Sequence, residues 1–311
     1  MKVAYAFRRA MYYPYTGPPF LFPPREGRSG WLKQIRSLNF DGIEVGVDAA
    51  GPEPAEASVR ELRRELDGEG VPCVAVRGGG GLSHPRTGAD NRKRMEQTVR
   101  FASWIGASVA NMGVGTGIGD PRGRGAFNWG ENASQGGSRT ATEADFQLNA
   151  TGLREVGAIA ADGGIDIAIE VHQHSIVDNS WSALRLLELV DHPNVGINPD
   201  LGNIYWTYDI PEESTEAAIV ALAPKAKYWH CKNLFRLHMH EHERSMFIRV
   251  PLPDGDIDYR FAITAMHQAG YEGYAAVEGL QLGDQLTADG KSCAYMRQIL
   301  KELNGPTVTL V

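Results

Sequence analysis

Short β-rich runs alternate with longer helical patterns along the whole chain of 311 residues. Strands are predicted at residues 3–7, 42–47, 73–78, 108–114, 165–172, 195–200, 226–232 and 273–279. Helical patterns lie between them; residues 58–70, for example, place Val59, Leu62 and Leu66 on one side before a glycine. Because this alternation is typical of βα units around a parallel sheet, the sequence predicts an α/β fold. The expected fold is a (β/α)8 TIM barrel, a single domain over residues 1–311.

Three connections are longer than a simple barrel requires, and each of them follows a predicted strand. They span residues 8–30, 113–142 and 233–256. All three are therefore expected as long loops on the C-terminal face, where barrel enzymes build their sites. A doubly wound open sheet is the alternative fold, but no G-x-G-x-x-G sequence follows the first strand.

The charge of the chain argues against a nucleic-acid partner. The formal net charge is −7, whereas proteins that bind the phosphate backbone usually carry a dominant basic patch. No run of about 18 apolar residues occurs, and the first apolar residues precede the first arginines, the reverse of a secretory signal. These features predict a cytoplasmic protein with a small-molecule substrate and no membrane partner.

Acidic and imidazole side chains fall at the ends of four successive predicted strands. Glu170, Asp200, His230 and Glu278 end or nearly end the fifth to eighth strands, which are neighbours around the rim of a barrel. A single strand-end carboxylate is usually a helix cap or a surface charge. Four such residues on successive strands suggest a common cause, because burying their charge without a cation is costly. The mixture of ligands favours Mn²⁺, Mg²⁺ or Co²⁺, and the histidine keeps Zn²⁺ possible.

Four segments resemble a known family. The sequences "IEVHQH", "GINPDLGN", "HCKN" and "DGDIDYRFAITAMHQAGYEGYAAVEG" are similar to signature segments of the xylose isomerase-like TIM barrels, which include sugar phosphate isomerases and epimerases. The resemblance covers essentially the whole chain and is strongest over residues 165–279. It implies one divalent metal ion, with Mn²⁺ expected, held by the same four residues: Glu170, Asp200, His230 and Glu278.

The resemblance also implies a chemistry and a substrate class. Family epimerases use their two metal-bound glutamates as an acid/base pair, which here are Glu170 and Glu278. The expected reaction is isomerisation or epimerisation of a carbohydrate by proton transfer beside a carbonyl, through an enediolate that a cation stabilises. His172 matches the family's E-x-H form and is expected as a catalytic residue that contacts metal-bound substrate or orients a ligand. Substrate contacts are expected from Arg236, Asn203, Lys232 and His174.

Two features depart from the family pattern. Asn203 stands where many members have the histidine of a D-x-x-H motif, and asparagine can hydrogen-bond a hydroxyl but cannot transfer a proton near neutral pH. His174 is an additional histidine beyond the E-x-H form. A histidine tract, at His238, His240 and His242, predicts either a second metal site or, as the preferred interpretation, a solvated polar loop.

Other functions remain open from the sequence. A lyase that acts on 3-keto C-glycosides, similar to the catalytic subunits of C-glycoside deglycosidases, would use the same metal, an enolising base and a small second subunit. Aromatic residues such as Tyr205 and Trp206 could line its pocket, or could instead pack in the core. A sugar-binding barrel without activity and a nuclease similar to endonuclease IV are further alternatives; the acidic balance disfavours the nuclease. The family's habit predicts a homo-oligomer.

Overall fold

The computed structural model describes most of the chain. The described residues are 1–6, 22–23, 25–51, 53–84, 86–115, 119–120, 134–135, 137–173, 175–206, 212–242, 244–280 and 283–305. Their strands are β1 Lys2–Ala6, β2 Gly42–Gly46, β3 Cys73–Gly79, β4 Val109–Gly113, β5 Gly119–Asp120, β6 Ser134–Gln135, β7 Asp166–Glu170, β8 Val195–Asn198, β9 Trp229–Cys231, β10 Asn233–Met239, β11 Arg244–Val250 and β12 Tyr274–Glu278. Their helices are α1 Arg25–Ser37, α2 Glu56–Gly68, α3 Gly88–Ile105, α4 Glu143–Asp162, α5 Ser180–Val190, α6 Leu201–Tyr205, α7 Thr215–Leu222, α8 Tyr259–Gln268 and α9 Gln285–Leu303.

Eight parallel strands form a nearly closed barrel with helices between them. Their order is β8-β7-β4-β3-β2-β1-β12-β9. The gap between the two ends is bridged where Lys227 donates its backbone N–H to the carbonyl of Ile197 at 2.9 Å, beside an isolated parallel bridge from Ile197 to Ala226. The predicted TIM barrel is confirmed, and its eight strands coincide with the eight predicted ones.

Two differences from the prediction concern segments near the barrel mouth. The sixth barrel strand, β8, ends at Asn198, and Asp200 begins a short helix instead of ending the strand. The connection 233–256, predicted as a loop, contains the antiparallel hairpin β10–β11. Alternating apolar residues on one face, with Phe235 opposite Ile248, give this segment a strand pattern that its histidines and charges hide.

Side chains of the barrel strands alternate between two layers. Val3 and Tyr5 pack in the large core between sheet and helices, whereas Ala4 packs in a separate cluster with Ala168 and Ala276. Because successive strand residues point to opposite faces, the even-numbered residues of β1, β7 and β12 face the barrel axis. Small alanines fill the lower layers. The polar residues two positions further along these strands, such as Glu170 and Glu278, therefore meet in the layer at the mouth.

Within the described residues, no helix combines the length and apolar character needed to cross a bilayer.

Candidate metal centre

Four side chains predicted at the strand ends converge on one point in the barrel mouth. Glu170, Asp200, His230 and Glu278 each offer one ligand atom, and these atoms all lie within 4.8 Å of one another. The His230 Nδ1 atom lies 3.3 Å from Glu170 Oε1, 3.9 Å from Asp200 Oδ2 and 4.0 Å from Glu278 Oε2. All four side chains are buried. A buried set of three carboxylates and one imidazole nitrogen could hold a divalent cation.

The side chain of Asp200 is positioned by its role as a helix cap. It is the N-cap residue of α6, and its Oδ1 accepts the backbone N–H of Asn203 at 3.2 Å. Its Oδ2 is the oxygen that faces His230. The cap therefore holds one oxygen of the carboxylate and leaves the other directed into the centre.

Asn203 connects two of the candidate ligands. Its Nδ2 lies 3.1 Å from Glu170 Oε1 and 3.0 Å from Asp200 Oδ2, and it also donates to the backbone oxygen of Val171. The side chain is buried. Because the amide has two hydrogens for these three oxygens, it shares them among the two carboxylates and the backbone carbonyl.

Two cations contact Glu278. The Lys232 Nζ atom lies 2.9 Å from Glu278 Oε2 and 2.9 Å from Asp200 Oδ2, and the lysine is 3% exposed. Arg249 places its Nη1 3.2 Å from Glu278 Oε1. Arg249, which was not among the predicted site residues, reaches the mouth from the hairpin strand β11. The docking of the hairpin over the mouth is a tertiary contact, so the position of Arg249 in the sequence carried no signal.

His172 lies beyond Glu170 on the chain and is half-buried. Its Nδ1 lies 2.7 Å from the backbone oxygen of Gln173. Burial lowers the pKa of His172, against the opposing negative charge of Glu170. The ring is therefore neutral near neutral pH. His174 lies outside the described residues.

Arg236 is held by the hairpin instead of by the four-residue group. Its Nε donates to Ser245 Oγ at 2.9 Å, and its guanidinium lies 5.8 Å from the centroid of the Phe247 ring. The histidine tract lies further out, where His238 and His240 pack edge to face with ring centroids 4.6 Å apart. Both are exposed, and neither belongs to a metal-ligating group among the described residues.

Buried polar residues of the barrel interior that were not among the predicted site residues complete the centre. Glu44 Oε2 lies 2.7 Å from His230 Nε2. Asn111 places its Nδ2 3.3 Å from Glu170 Oε2 and accepts a hydrogen bond from Asn198 at 3.1 Å. A signal was present for Glu44, which interrupts the apolar run "GIEVGV". A carboxylate buried in such a strand needs a partner.

The surroundings of Asp200 and Glu170 shift the pKa values of these two buried acids in opposite directions. Burial raises the pKa of Asp200 to about 6, although the charge of Lys232 opposes the shift. Burial also works to raise the pKa of Glu170, but the charge and hydrogen bond of His230 hold it well below its ordinary value. Glu170 is thus an anion at neutral pH.

Comparison with known proteins assigns this barrel to a family. Residues 32–299 match the sequence model of the xylose isomerase-like TIM barrels. The chain belongs to the xylose isomerase-like TIM barrel family.

Relatives of this xylose isomerase-like barrel include enzymes named as epimerases. The L-ribulose-5-phosphate 3-epimerase UlaE of Salmonella paratyphi C is 22% identical over 263 residues, which cover 80% of this chain and 81% of the relative. A xylose isomerase-like TIM barrel protein from Mycobacterium smegmatis, solved in complex with magnesium, matches with a TM-score of 0.78 and 22% identity over 98% of both chains. The apo structure of the 3-keto-D-glucoside 4-epimerase YcjR from E. coli matches with a TM-score of 0.67 and 16% identity, over 96% of this chain and 99% of that chain.

In this xylose isomerase-like barrel, aromatic residues join the hairpin to the rim. The rings of Tyr205 and Trp206 lie 6.2 and 6.0 Å from the ring of Phe247, and Tyr205 donates its hydroxyl to Asp256 at 2.8 Å. The Arg249 guanidinium lies 5.5 Å from the centroid of the Trp206 ring. These contacts fix the hairpin strand that carries Arg249 above Glu278.

A buried acid behind β12 predicts a pH-dependent stability. Asp289 in α9 is 1% exposed and accepts the backbone N–H of Leu280 at 3.1 Å. Burial raises its pKa to about 7. Because the native pKa exceeds the unfolded value of about 3.9, its contribution to stability is fully present below about pH 4 and is lost as the pH rises through 7. The unfolding free energy of Asp289→Asn, taken relative to that of the parent, should therefore be roughly 1–3 kcal/mol higher at pH 8 than at pH 5.

Urea denaturation at both pH values measures this gain. The matched control is Asp284→Asn at the N-cap of the same helix, where hydrogen bonds from Thr287 lower the pKa of the carboxyl. This control should gain nothing at pH 8. Identical pH dependence in the parent and in Asp289→Asn would show that Asp289 is not the titrating group.

Proposed function

We propose that the protein is a divalent-metal-dependent sugar isomerase or epimerase that transfers a proton next to a carbonyl through an enediolate. The observation that carries this proposal is the buried convergence of Glu170, Asp200, His230 and Glu278 at the barrel mouth. Relatives named as epimerases of sugars and sugar phosphates support the same reaction class. The proposed substrate is a small carbohydrate.

The donor set fits a divalent ion. Three carboxylate oxygens and the Nδ1 of His230 would hold it, and the carboxylate majority favours Mn²⁺, with Mg²⁺, Co²⁺ and Zn²⁺ as alternatives. The magnesium complex of the Mycobacterium smegmatis protein is consistent with an oxygen-rich site in this fold. When bound, the ion would supply a Lewis acid that polarises the substrate carbonyl and acidifies the neighbouring C–H.

Glu170 and Glu278 are the proposed acid/base pair. They come from β7 and β12, strands separated on the rim by β8 and β9, so their carboxylates approach a central substrate from different directions. One carboxylate would remove the proton, and the other would return a proton to the opposite face. Hydrogen bonds from Asn111 and Asn203 steady Glu170.

Two cations lie beside Glu278, where the proposed reaction develops negative charge on the substrate. Lys232 and Arg249 form direct ion pairs with the Glu278 carboxylate. Both would also stabilise negative charge on the substrate oxygen as the C–H bond breaks. We propose Lys232, Asn203 and His172 as residues that bind and orient the substrate. Roles for Arg236 and His174 stay predictions, as do the single domain, the homo-oligomer and the cytoplasmic location.

A second candidate is a metal-dependent lyase of 3-keto glycosides. Asn203 favours it, because a side chain that cannot transfer protons takes the place of the family's usual histidine. This candidate predicts a small second subunit and release of a phenol from an aryl keto-glycoside. Co-purification with a second chain, or release of the phenol, would favour it over epimerisation.

Metal removal and isotope exchange test the proposed function together. About one divalent ion per chain is expected by elemental analysis, and chelation with EDTA should abolish activity that Mn²⁺ then restores. Activity is measured with a panel of free and phosphorylated ketoses in D₂O, where proton transfer exchanges deuterium into the carbon beside the carbonyl. A protein that remains fully active without metal would contradict the proposal.

A further inference from the structure

The imidazole of His230 lies between the metal-ligand oxygens and a buried carboxylate from another strand. On one side, Nδ1 faces Glu170 at 3.3 Å. On the other side, Nε2 lies 2.7 Å from Oε2 of Glu44, which is 0% exposed. A carboxylate oxygen accepts the hydrogen bond in this contact, so the ring carries a proton on Nε2. Without an ion, Nδ1 faces Glu170 as a hydrogen-bond donor; an ion at the centre would replace that proton and take the Nδ1 lone pair, while the Nε2 proton stays on Glu44.

Contacts around Glu44 and His230 leave the pair little freedom. Arg77 donates from Nη1 to Glu44 Oε1 at 3.2 Å, while the other oxygen, Oε2, faces the histidine. The backbone N–H of His230 donates to Asn198 Oδ1 at 2.6 Å. The ring of Tyr228 packs edge to face against the imidazole, with centroids 5.3 Å apart.

Asn111 is a further neighbour of Nε2. Its Nδ2 lies 3.3 Å from His230 Nε2 and at the same distance from Glu170 Oε2. A protonated Nε2 cannot accept from this amide, whereas Glu170 can. The amide therefore donates to Glu170, and Glu44 is the acceptor for the histidine.

We propose that Glu44 is a positioning residue of the metal centre: it holds the His230 ring in the orientation and the tautomer that direct Nδ1 at the ion. The inference rests on the proposed function, because it requires His230 to be a metal ligand. Partners on the second nitrogen of a metal-bound histidine usually change metal affinity by about 10–100-fold when they are removed. Glu44 contacts the centre through His230 Nε2 at 2.7 Å, and the loss of this contact is how its substitution should act on the ion.

A matched pair of variants separates this role from simple charge balance with Arg77. Glu44→Gln and Arg77→Gln both remove the Arg77–Glu44 ion pair, but only Glu44→Gln changes the partner of His230. We expect Glu44→Gln to weaken Mn²⁺ binding by about 10–100-fold, while Arg77→Gln stays within a few-fold of the parent. Glu44→Asp keeps the charge and serves as the conservative variant, with an intermediate affinity; it also keeps the test usable if Glu44→Gln does not fold.

Two readouts are independent of activity. Free Mn²⁺ is quantified by its electron paramagnetic resonance signal during titration of each protein. In the Co²⁺-loaded protein, the exchangeable Nε2–H proton of His230 is observed as a paramagnetically shifted NMR signal, which should exchange with water faster in Glu44→Gln. Near-ultraviolet circular dichroism confirms that each variant is folded.

Each result of these titrations has one meaning. Equal Mn²⁺ affinity in the parent and Glu44→Gln, with an unchanged Nε2–H signal, would overturn the positioning role while leaving the metal centre intact. An equal loss in Arg77→Gln and Glu44→Gln would assign the effect to the ion pair and overturn it as well. A parent protein that binds no divalent ion would instead contradict the proposed function itself.

Discussion

Glu278→Gln is expected to lower turnover by roughly 10²–10⁴-fold at saturating Mn²⁺. The substitution removes a proposed metal ligand and a proposed acid/base in one step, while the amide keeps the size of the side chain. It also leaves Lys232 and Arg249, which contact Glu278 at 2.9 and 3.2 Å, without their shared anion. The measurements are kcat on the best substrate of the panel and the rate of deuterium exchange in D₂O.

Glu272→Gln is the matched control for this experiment. Glu272 precedes the same strand, β12, and is exposed, so the same chemical change there should leave both rates close to those of the parent. Unchanged exchange in Glu278→Gln, with metal still bound, would exclude Glu278 as the acid/base. A loss of exchange that high Mn²⁺ concentrations fully restore would limit Glu278 to metal binding.

Lys232→Met is expected to destabilise the metal-free protein by about 3–5 kcal/mol. The ammonium group of Lys232 is buried and contacts Asp200 and Glu278 at 2.9 Å each. Methionine keeps much of the apolar volume but leaves two buried carboxylates without this cation, and an uncompensated buried charge is costly. A divalent ion bound beside the same carboxylates should offset much of the loss, because binding to the native state alone stabilises it.

Urea denaturation with EDTA and with Mn²⁺ measures both effects. The matched control is Lys291→Met, which removes an exposed ion pair with Asp254 and should cost less than about 1 kcal/mol. Equal stability of Lys232→Met and the parent in EDTA would mean that the buried carboxylates do not depend on this lysine. A loss that Mn²⁺ leaves undiminished would mean that the ion does not bind beside them.

Local patterns were enough to predict the barrel and the four converging residues. Strand and helix periodicity are short-range properties, and a barrel makes the ends of successive strands neighbours whatever their detailed register. Glu170 and Glu278 end β7 and β12 as predicted. Asp200 lies at the centre although its strand stops two residues earlier, because its helix cap keeps one oxygen directed inward.

Contacts across the barrel interior depended on the tertiary structure. Whether Glu44 of β2 meets His230 of β9 depends on strand register, tilt and side-chain direction, none of which the residue spacing reveals. The hairpin β10–β11 is a further case, because its pairing and its docking on Trp206 bring Arg249 to Glu278. The sequence by itself determined the fold and the four candidate ligands, since these follow from periodicity and strand ends. Only the tertiary structure decided which buried cations and carboxylates surround them, since those contacts join segments far apart in the chain.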